Sequence, residues 1–188
     1  MARISLFMPG TYAYATELNV RIQDINYGNH VGHDAFVSLL HEARIRYFNH
    51  LGYTESDIEG CAIVISDLAV IYKAQALHRD RLTCEIAAGD FNQYGCDIFY
   101  RMTHAVNHTL ILEAKTGIVF FNYRENKITR MPRAFAKAVA TVCSGHHPHH
   151  CPHQQTGDDA QGNGVAEDGA FPADRPHHGG GQGHLEGR

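Results

Sequence analysis

The sequence predicts an α+β domain in which one antiparallel sheet wraps around a single long helix, followed by a disordered tail. Three observations predict it. Residues 35–51 carry apolar side chains at helical spacing. Residues 61–123 read as four successive strands separated by turn residues. The composition then changes abruptly near Gly145.

The elements follow in chain order. Residues 11–23, TYAYATELNVRIQ, alternate and contain β-branched and aromatic residues, the pattern of a strand. DINYGNHVGHD comes next and is a loop by its Asp, Asn and Gly content. In AFVSLLHEARIRYFNHLG, residues Phe36, Leu39, Leu40, Ala43 and Tyr47 fall at i, i+3, i+4, i+7 and i+11, so one helix face is apolar. Asp34 or His33 lies at its start, with Asp34 suited to the N-cap or first turn, and Gly52 fits the stop. The runs CAIVISDLAVIYKA (61–74), RLTCEIAAGDF (81–91), YGCDIFYRMTHAV (94–106) and TLILEAKTGIVFFNY (109–123) are strands. Gly89, Asp90 and Gly95 punctuate one join, and Asn107-His108 marks a tight turn at another. ENKITRMP closes the sheet, and PRAFAKAVATV is a short helix with Pro132 at its first turn. A helix that is apolar on one face must pack on the sheet, and the four strands are expected to form an antiparallel meander.

Composition bounds the rest. A chain of 188 residues with 44% apolar side chains holds one domain, residues 1–144, and a tail, residues 145–188. The tail is rich in Gly, His, Pro, Asp and Gln and cannot bury enough surface to offset its ordering entropy. Its segment HHPHHCPH has the ligand types for a transition metal, but nothing fixes a coordination geometry, so no metal site is expected. A net charge of −4 gives no basic field for nucleic acid and no polybasic patch for a membrane. No apolar run approaches the roughly 20 residues of a membrane span. A cytoplasmic protein is the expectation. Five cysteines, odd in number and widely spaced, read as reduced thiols.

Two segments carry chemistry. Residues 20–53, VRIQDINYGNHVGHDAFVSLLHEARIRYFNHLGY, contain His30-Val31-Gly32-His33, Glu42-Ala43-Arg44, Phe48 and Gly52. Residues 69–82 contain Tyr72-Lys73 and Asp80. Together they resemble the hotdog-fold acyl-CoA thioesterases of the 4-hydroxybenzoyl-CoA thioesterase type, over roughly residues 10–135. The resemblance implies a homodimer or homotetramer whose sheets join edge to edge. It also implies an acyl-CoA substrate at the subunit interface, and no cofactor.

The resemblance assigns the loop before the helix to catalysis. Thioester hydrolysis passes through a tetrahedral oxyanion, and backbone N–H groups at a helix N-terminus are pre-oriented donors for it. Here they are the amides around Val31, Gly32, His33 and Asp34. Gly32 would let the ligand approach the backbone closely. One departure stands out. The family usually has a carboxylate four residues before the His of His-Val, and this chain has Asn26. An amide cannot act as base or nucleophile at neutral pH, although it can hold a water or polarise a carbonyl. If the first strand persists to residue 24, period two puts Asp24 on the face of Asn26, and the base has moved there. Glu42 and Asp67 are other acids within the pattern, Asp67 as a lone acid in the apolar run VISDLAV. The expected catalytic set is Asp24, Asn26, His30 and Asp67. Lys73, Arg79 and Arg81, with Arg124 and Arg130, are the candidates for the CoA phosphates.

Two other readings stay open. DINYGNH also resembles the Asp-x-Asn-Pro-x-His loop of hotdog enoyl-CoA hydratases, with Tyr27 in place of Pro and His30 one residue late. Asn26 further motivates a non-catalytic acyl-CoA-binding protein.

Overall fold

A computed structural model describes residues 3–144; the tail and its His/Cys segment lie outside the described residues. The elements run β1 (Tyr14–Asn19), a single 3-10 turn (Ile22–Asp24), α1 (His33–His50), β2 (Ala62–Tyr72), β3 (Arg81–Gly89), β4 (Gly95–His104), β5 (Leu110–Asn122), β6 (Lys127–Ile128) and α2 (Arg133–Ser144). One antiparallel sheet and one long helix are what the sequence predicts, and the arrangement is the hotdog fold. The first strand is shorter than expected. It stops at Asn19, so residues 22–24 are a turn and not its continuation.

The strand order is β1-β3-β4-β5-β2, with β6 pairing on β5. This corrects the expected meander. Of the four strands β2 to β5, only β3, β4 and β5 follow one another through short connections. β2 pairs with β5, and β1 takes the place beside β3. The physical reason lies in connection length. Residues 73–80 are far longer than the two-residue turn of a tight hairpin, so they can carry the chain away from β2 to β3, which pairs with β1 and β4 instead.

The helix is anchored by its apolar stripe. Phe36, Leu39, Leu40, Ala43 and Tyr47 are all buried, joined by Phe48 and by Arg44. They meet the inward face of the sheet, where Cys96, Ile98, Tyr100 and Met102 alternate along β4. Each fully buried large side chain of this kind contributes roughly 1.5–3 kcal/mol. Phe135 of α2 closes the core beyond α1, edge-on to Phe48 at 5.9 Å and to Phe120 at 5.2 Å between ring centroids.

The helix ends as the sequence indicates. Gly52 has φ +83°, and its N–H bonds to the Asn49 carbonyl while that of Tyr53 bonds to Phe48. This pairing of two orphan carbonyls needs a left-handed residue after the cap. At the start, the N-cap is Gly32, with Asp34 in the first turn. Among the described residues no helix is long and apolar enough to cross a membrane.

Candidate functional site

The loop from Asp24 to Gly32 is closed by its own backbone. The Gly32 N–H bonds to the Asp24 carbonyl at 3.0 Å, and the Asn26 N–H to the His30 carbonyl at 2.9 Å. The Asn26 side-chain oxygen accepts the Gly28 N–H at 2.8 Å, and Asn29 adopts φ +61° to complete the turn. This leaves the Asn26 Nδ2 facing His30 Nδ1 at 3.4 Å, with Val31 O 3.2 Å from the same ring nitrogen. A short, internally bonded loop therefore fixes an amide and an imidazole side by side.

Across from the loop stands the end of β2. Tyr72 places its ring 5.7 Å from Phe36 and donates its hydroxyl to the His33 carbonyl at 3.2 Å. Burial, with the Asp34 carboxylate adding to it, pushes the phenol above its ordinary range and keeps it protonated. Between loop, helix start and strand end lies a cavity of about 400 Å³. It is lined by Asn26, His30, Val31, His33, Phe36, Tyr72, Lys73, Ala74 and Gln75. Four of the residues singled out in the loop, and Lys73, thus come together.

The amide donors need correction. The Val31 N–H is bonded to the Ala76 carbonyl and the Gly32 N–H to Asp24, so neither is available to a ligand. The first helical residues, His33, Asp34 and Ala35, have no intrahelical acceptor by geometry and are the donors that remain. Gly32 has an ordinary φ of −67°. A Cβ there would fall 2.5 Å from the Asp34 carboxylate, an exposed side-chain end that would have to swing aside.

The two acids sit elsewhere. Because β1 ends at Asn19, Asp24 does not share a strand face with Asn26, which overturns that argument. Asp24 is buried and accepts the Arg21 backbone N–H at 2.7 Å and its guanidinium at 3.1 and 3.2 Å. Burial works against its ionisation, but the hydrogen bonds and charge of Arg21 outweigh it and hold the carboxyl below its ordinary value. Asp67 is exposed, not buried in an apolar run. The pairing of β2 with β5 skips a residue between Ile65 and Asp67, a bulge that turns the acid outward. There it accepts the Ser66 hydroxyl at 2.9 Å and pairs with Lys115, which also reaches Asp97. These contacts, Ser66 first, lower its carboxyl. Neither acid lines the cavity.

The basic candidates divide similarly. Lys73 lines the cavity and pairs with Glu113 at 3.2 Å. Arg79 sits at φ +73° in the turn before β3, and Arg81 pairs with Glu17 at 3.4 Å. Neither arginine lines the cavity. Phe36 lines the cavity, whereas Leu39 and Leu40 are core. Gln75 was not anticipated, and its place after Tyr72-Lys73 is the only signal that could have found it.

The Cys84 and Cys96 thiols are inert by environment. Cys84 and Cys96 are buried, burial pushes both upward, and Cys96 rises to about 12. Among the described residues, no group of three or more metal-binding side chains is gathered.

Comparison with known proteins decides the family. Residues 20–139 match the model of the thioesterase-like superfamily. The chain belongs to the thioesterase-like superfamily. A search of curated proteins returns no significant match. Among solved structures, this superfamily member is similar to a 1,4-dihydroxy-2-naphthoyl-CoA thioesterase from Synechocystis, with TM-score 0.64 and 20% identity over 72% of this chain and 98% of that one. It is similar to a putative thioesterase from Pseudomonas aeruginosa, with TM-score 0.63 and 20% identity over 69% and 99%. A DHNA-CoA thioesterase from Staphylococcus aureus gives TM-score 0.60 and 17% identity over 71% and 95%. At these identities the likeness establishes the hotdog fold of the thioesterase-like chain and leaves its substrate to chemistry.

Proposed function

We propose that this protein hydrolyses acyl-CoA thioesters to free acid and CoA, as enzymes of the 4-hydroxybenzoyl-CoA thioesterase type do. The observation that carries the reading is a single cavity holding Asn26, His30 and His33 at the N-terminus of an 18-residue helix. The thioester carbonyl lies against the free N–H groups of the first turn, which meet the oxyanion as it forms. Asn26 holds the attacking water.

His30 is the base of this scheme. With its Nδ1–H assigned to the Val31 carbonyl, Nε2 is the basic nitrogen and takes a proton from the water. The water oxygen bonds to the carbonyl carbon, the C–S bond breaks, and the CoA thiolate leaves and is protonated. Asp24 holds the loop through Arg21 and Gly32 and acts on the chemistry only through that hold. Asp67 belongs to the outer sheet face. Lys73 at the cavity meets the CoA phosphates, and Arg79 and Arg81, which do not line the cavity, are the further candidates for that role.

The site is proposed to lie between two copies. β2 is a sheet edge that exposes Ile65, Leu68 and Tyr72, which supports edge-to-edge pairing. A cytoplasmic setting is part of the proposal, and the free thiols of Cys61, Cys84 and Cys96 support it.

Asn26 in place of a carboxylate favours a second reading, an acyl-CoA-binding protein without turnover. The hydratase reading needs Asp24 beside His30, and Asp24 is instead held by Arg21. One screen separates them. Thiol release from a panel of aromatic and aliphatic acyl-CoAs, lost in His30→Gln, supports hydrolysis. Hydration of crotonyl-CoA without thiol release supports the hydratase. Binding by calorimetry with neither reaction supports the binder.

A further inference from the structure

The cavity contains a polar group that the proposed chemistry leaves unused. Tyr72 ends β2, yet its hydroxyl crosses to the first residue of α1 and donates to the His33 carbonyl at 3.2 Å. That carbonyl belongs to the same peptide unit as the Asp34 N–H. Hydrogen bonds on the two ends of one peptide reinforce each other, because drawing electron density to the oxygen makes the N–H a better donor. Asp34 is one of the three first-turn residues whose N–H has no intrahelical acceptor.

We propose that Tyr72 is a positioning residue which acts through the His33–Asp34 peptide, sharpening the Asp34 N–H as an oxyanion donor and holding the first turn of α1 against the end of β2. This rests on the reading that the thioester carbonyl sits at the helix start. Three features support it beyond the hydrogen bond. The ring is fixed against Phe36, which restricts where the hydroxyl points. The phenol is kept protonated, so it stays a donor. Tyr72 itself lines the cavity. A phenol placed only for packing has no need to direct its hydroxyl at a helix carbonyl from a half-exposed position.

The titratable groups around it are His33 and Asp34 on α1, His30 on the loop, and Lys73 with its partner Glu113 on the sheet.

The test uses the full chain. Tyr72→Phe should lower kcat on the order of three- to tenfold, the worth of one such hydrogen bond, with KM within about twofold. Fluorotyrosine incorporated at position 72 keeps the ring and makes the phenol more acidic. It should raise kcat at neutral pH or below, and bring the alkaline fall in rate to lower pH. A merely structural tyrosine moves neither. A third readout needs no turnover. In the ligand-free protein, the amide proton of Asp34 should shift upfield in Tyr72→Phe and downfield with fluorotyrosine. Unchanged kcat and an unchanged Asp34 resonance in both variants would overturn the proposal. If the wild type releases no thiol from any acyl-CoA, the hydrolase reading fails by itself, and the Asp34 resonance alone decides the inference.

Discussion

The side-chain amide of Asn26 lies 3.4 Å from Nδ1 of His30, across a turn that the Asn26 oxygen itself stabilises by accepting the Gly28 N–H. One residue thus shapes the loop and faces the imidazole.

Replacing it separates those duties. Asn26→Ala should cost kcat about 10- to 100-fold if the amide places water. Asn26→Asp can still accept the Gly28 N–H and adds the carboxylate that enzymes of the 4-hydroxybenzoyl-CoA thioesterase type usually have. If the position is catalytic, thiol release should rise or hold in Asn26→Asp while falling in Asn26→Ala. Steady-state assays of both variants on the best acyl-CoA check this. A larger loss in Asn26→Asp than in Asn26→Ala would show that the new charge disturbs His30 and that the carboxylate has no use there.

The Arg21–Asp24 contact makes an acid-sensitive hinge for the loop. The folded carboxyl lies below its ordinary value of 3.8. Its stabilisation is therefore present above about pH 4 and is lost as pH falls through the lower folded value. Asp24→Asn should lower the urea midpoint at pH 7, and the gap to wild type should close toward about pH 2. A gap that is the same at both ends would mean the carboxylate charge contributes nothing.

Within α1, Arg44 is only 6% exposed, and its Nε donates to Glu55 at 2.6 Å. Removing the acid leaves a guanidinium in the core without its carboxylate, facing only the Tyr100 phenol. Glu55→Ala should destabilise the protein by about 3 kcal/mol, the usual cost of breaking a buried pair from one side. Arg44→Met with Glu55→Leu should recover much of that. Chemical denaturation of the two variants measures both numbers, and equal losses would refute the asymmetry.

Residues 145–188 are proposed to stand outside the folded domain. A chain ending at Ser144 should keep its melting temperature within about 2 °C and its kcat within twofold, since the deleted stretch carries almost no large apolar side chains. A drop of more than about 5 °C would move the boundary.

Much of the fold was legible because it follows local periodicity. The helix stripe Phe36, Leu39, Leu40, Ala43 and Tyr47 and the stop at Gly52 are repeated by the structure residue for residue. What local pattern does not contain was not legible. The partner of β2 is a matter of which distant strand it meets, and Ala62 meets Phe121. The outward turn of Asp67 depends on a one-residue bulge that shifts the alternation midway along a strand. Asp24 shares a face with Asn26 only if the first strand persists to residue 24, and the chain instead turns at residues 22–24, where Asp24 bonds back to Arg21. The segment between β1 and α1 was readable as a loop from its Asp, Asn and Gly content. The contact from Tyr72 to His33 spans the turn from helix to strand and leaves no trace in spacing.

The pairing of β2 with β5 also sets a schedule for synthesis. Tyr72 leaves the ribosome about 40 residues before Leu110, the first residue of the strand that β2 must join. At about 5–20 residues per second, β2 waits several seconds with no neighbour on that side. During this interval Ile65, Leu68 and Tyr72 sit on a nascent strand with both edges open. The sheet cannot be completed until nearly the whole domain has emerged, so the nascent chain should be a client of ribosome-associated chaperones, and pauses in translation between codons 73 and 110 should lower its yield.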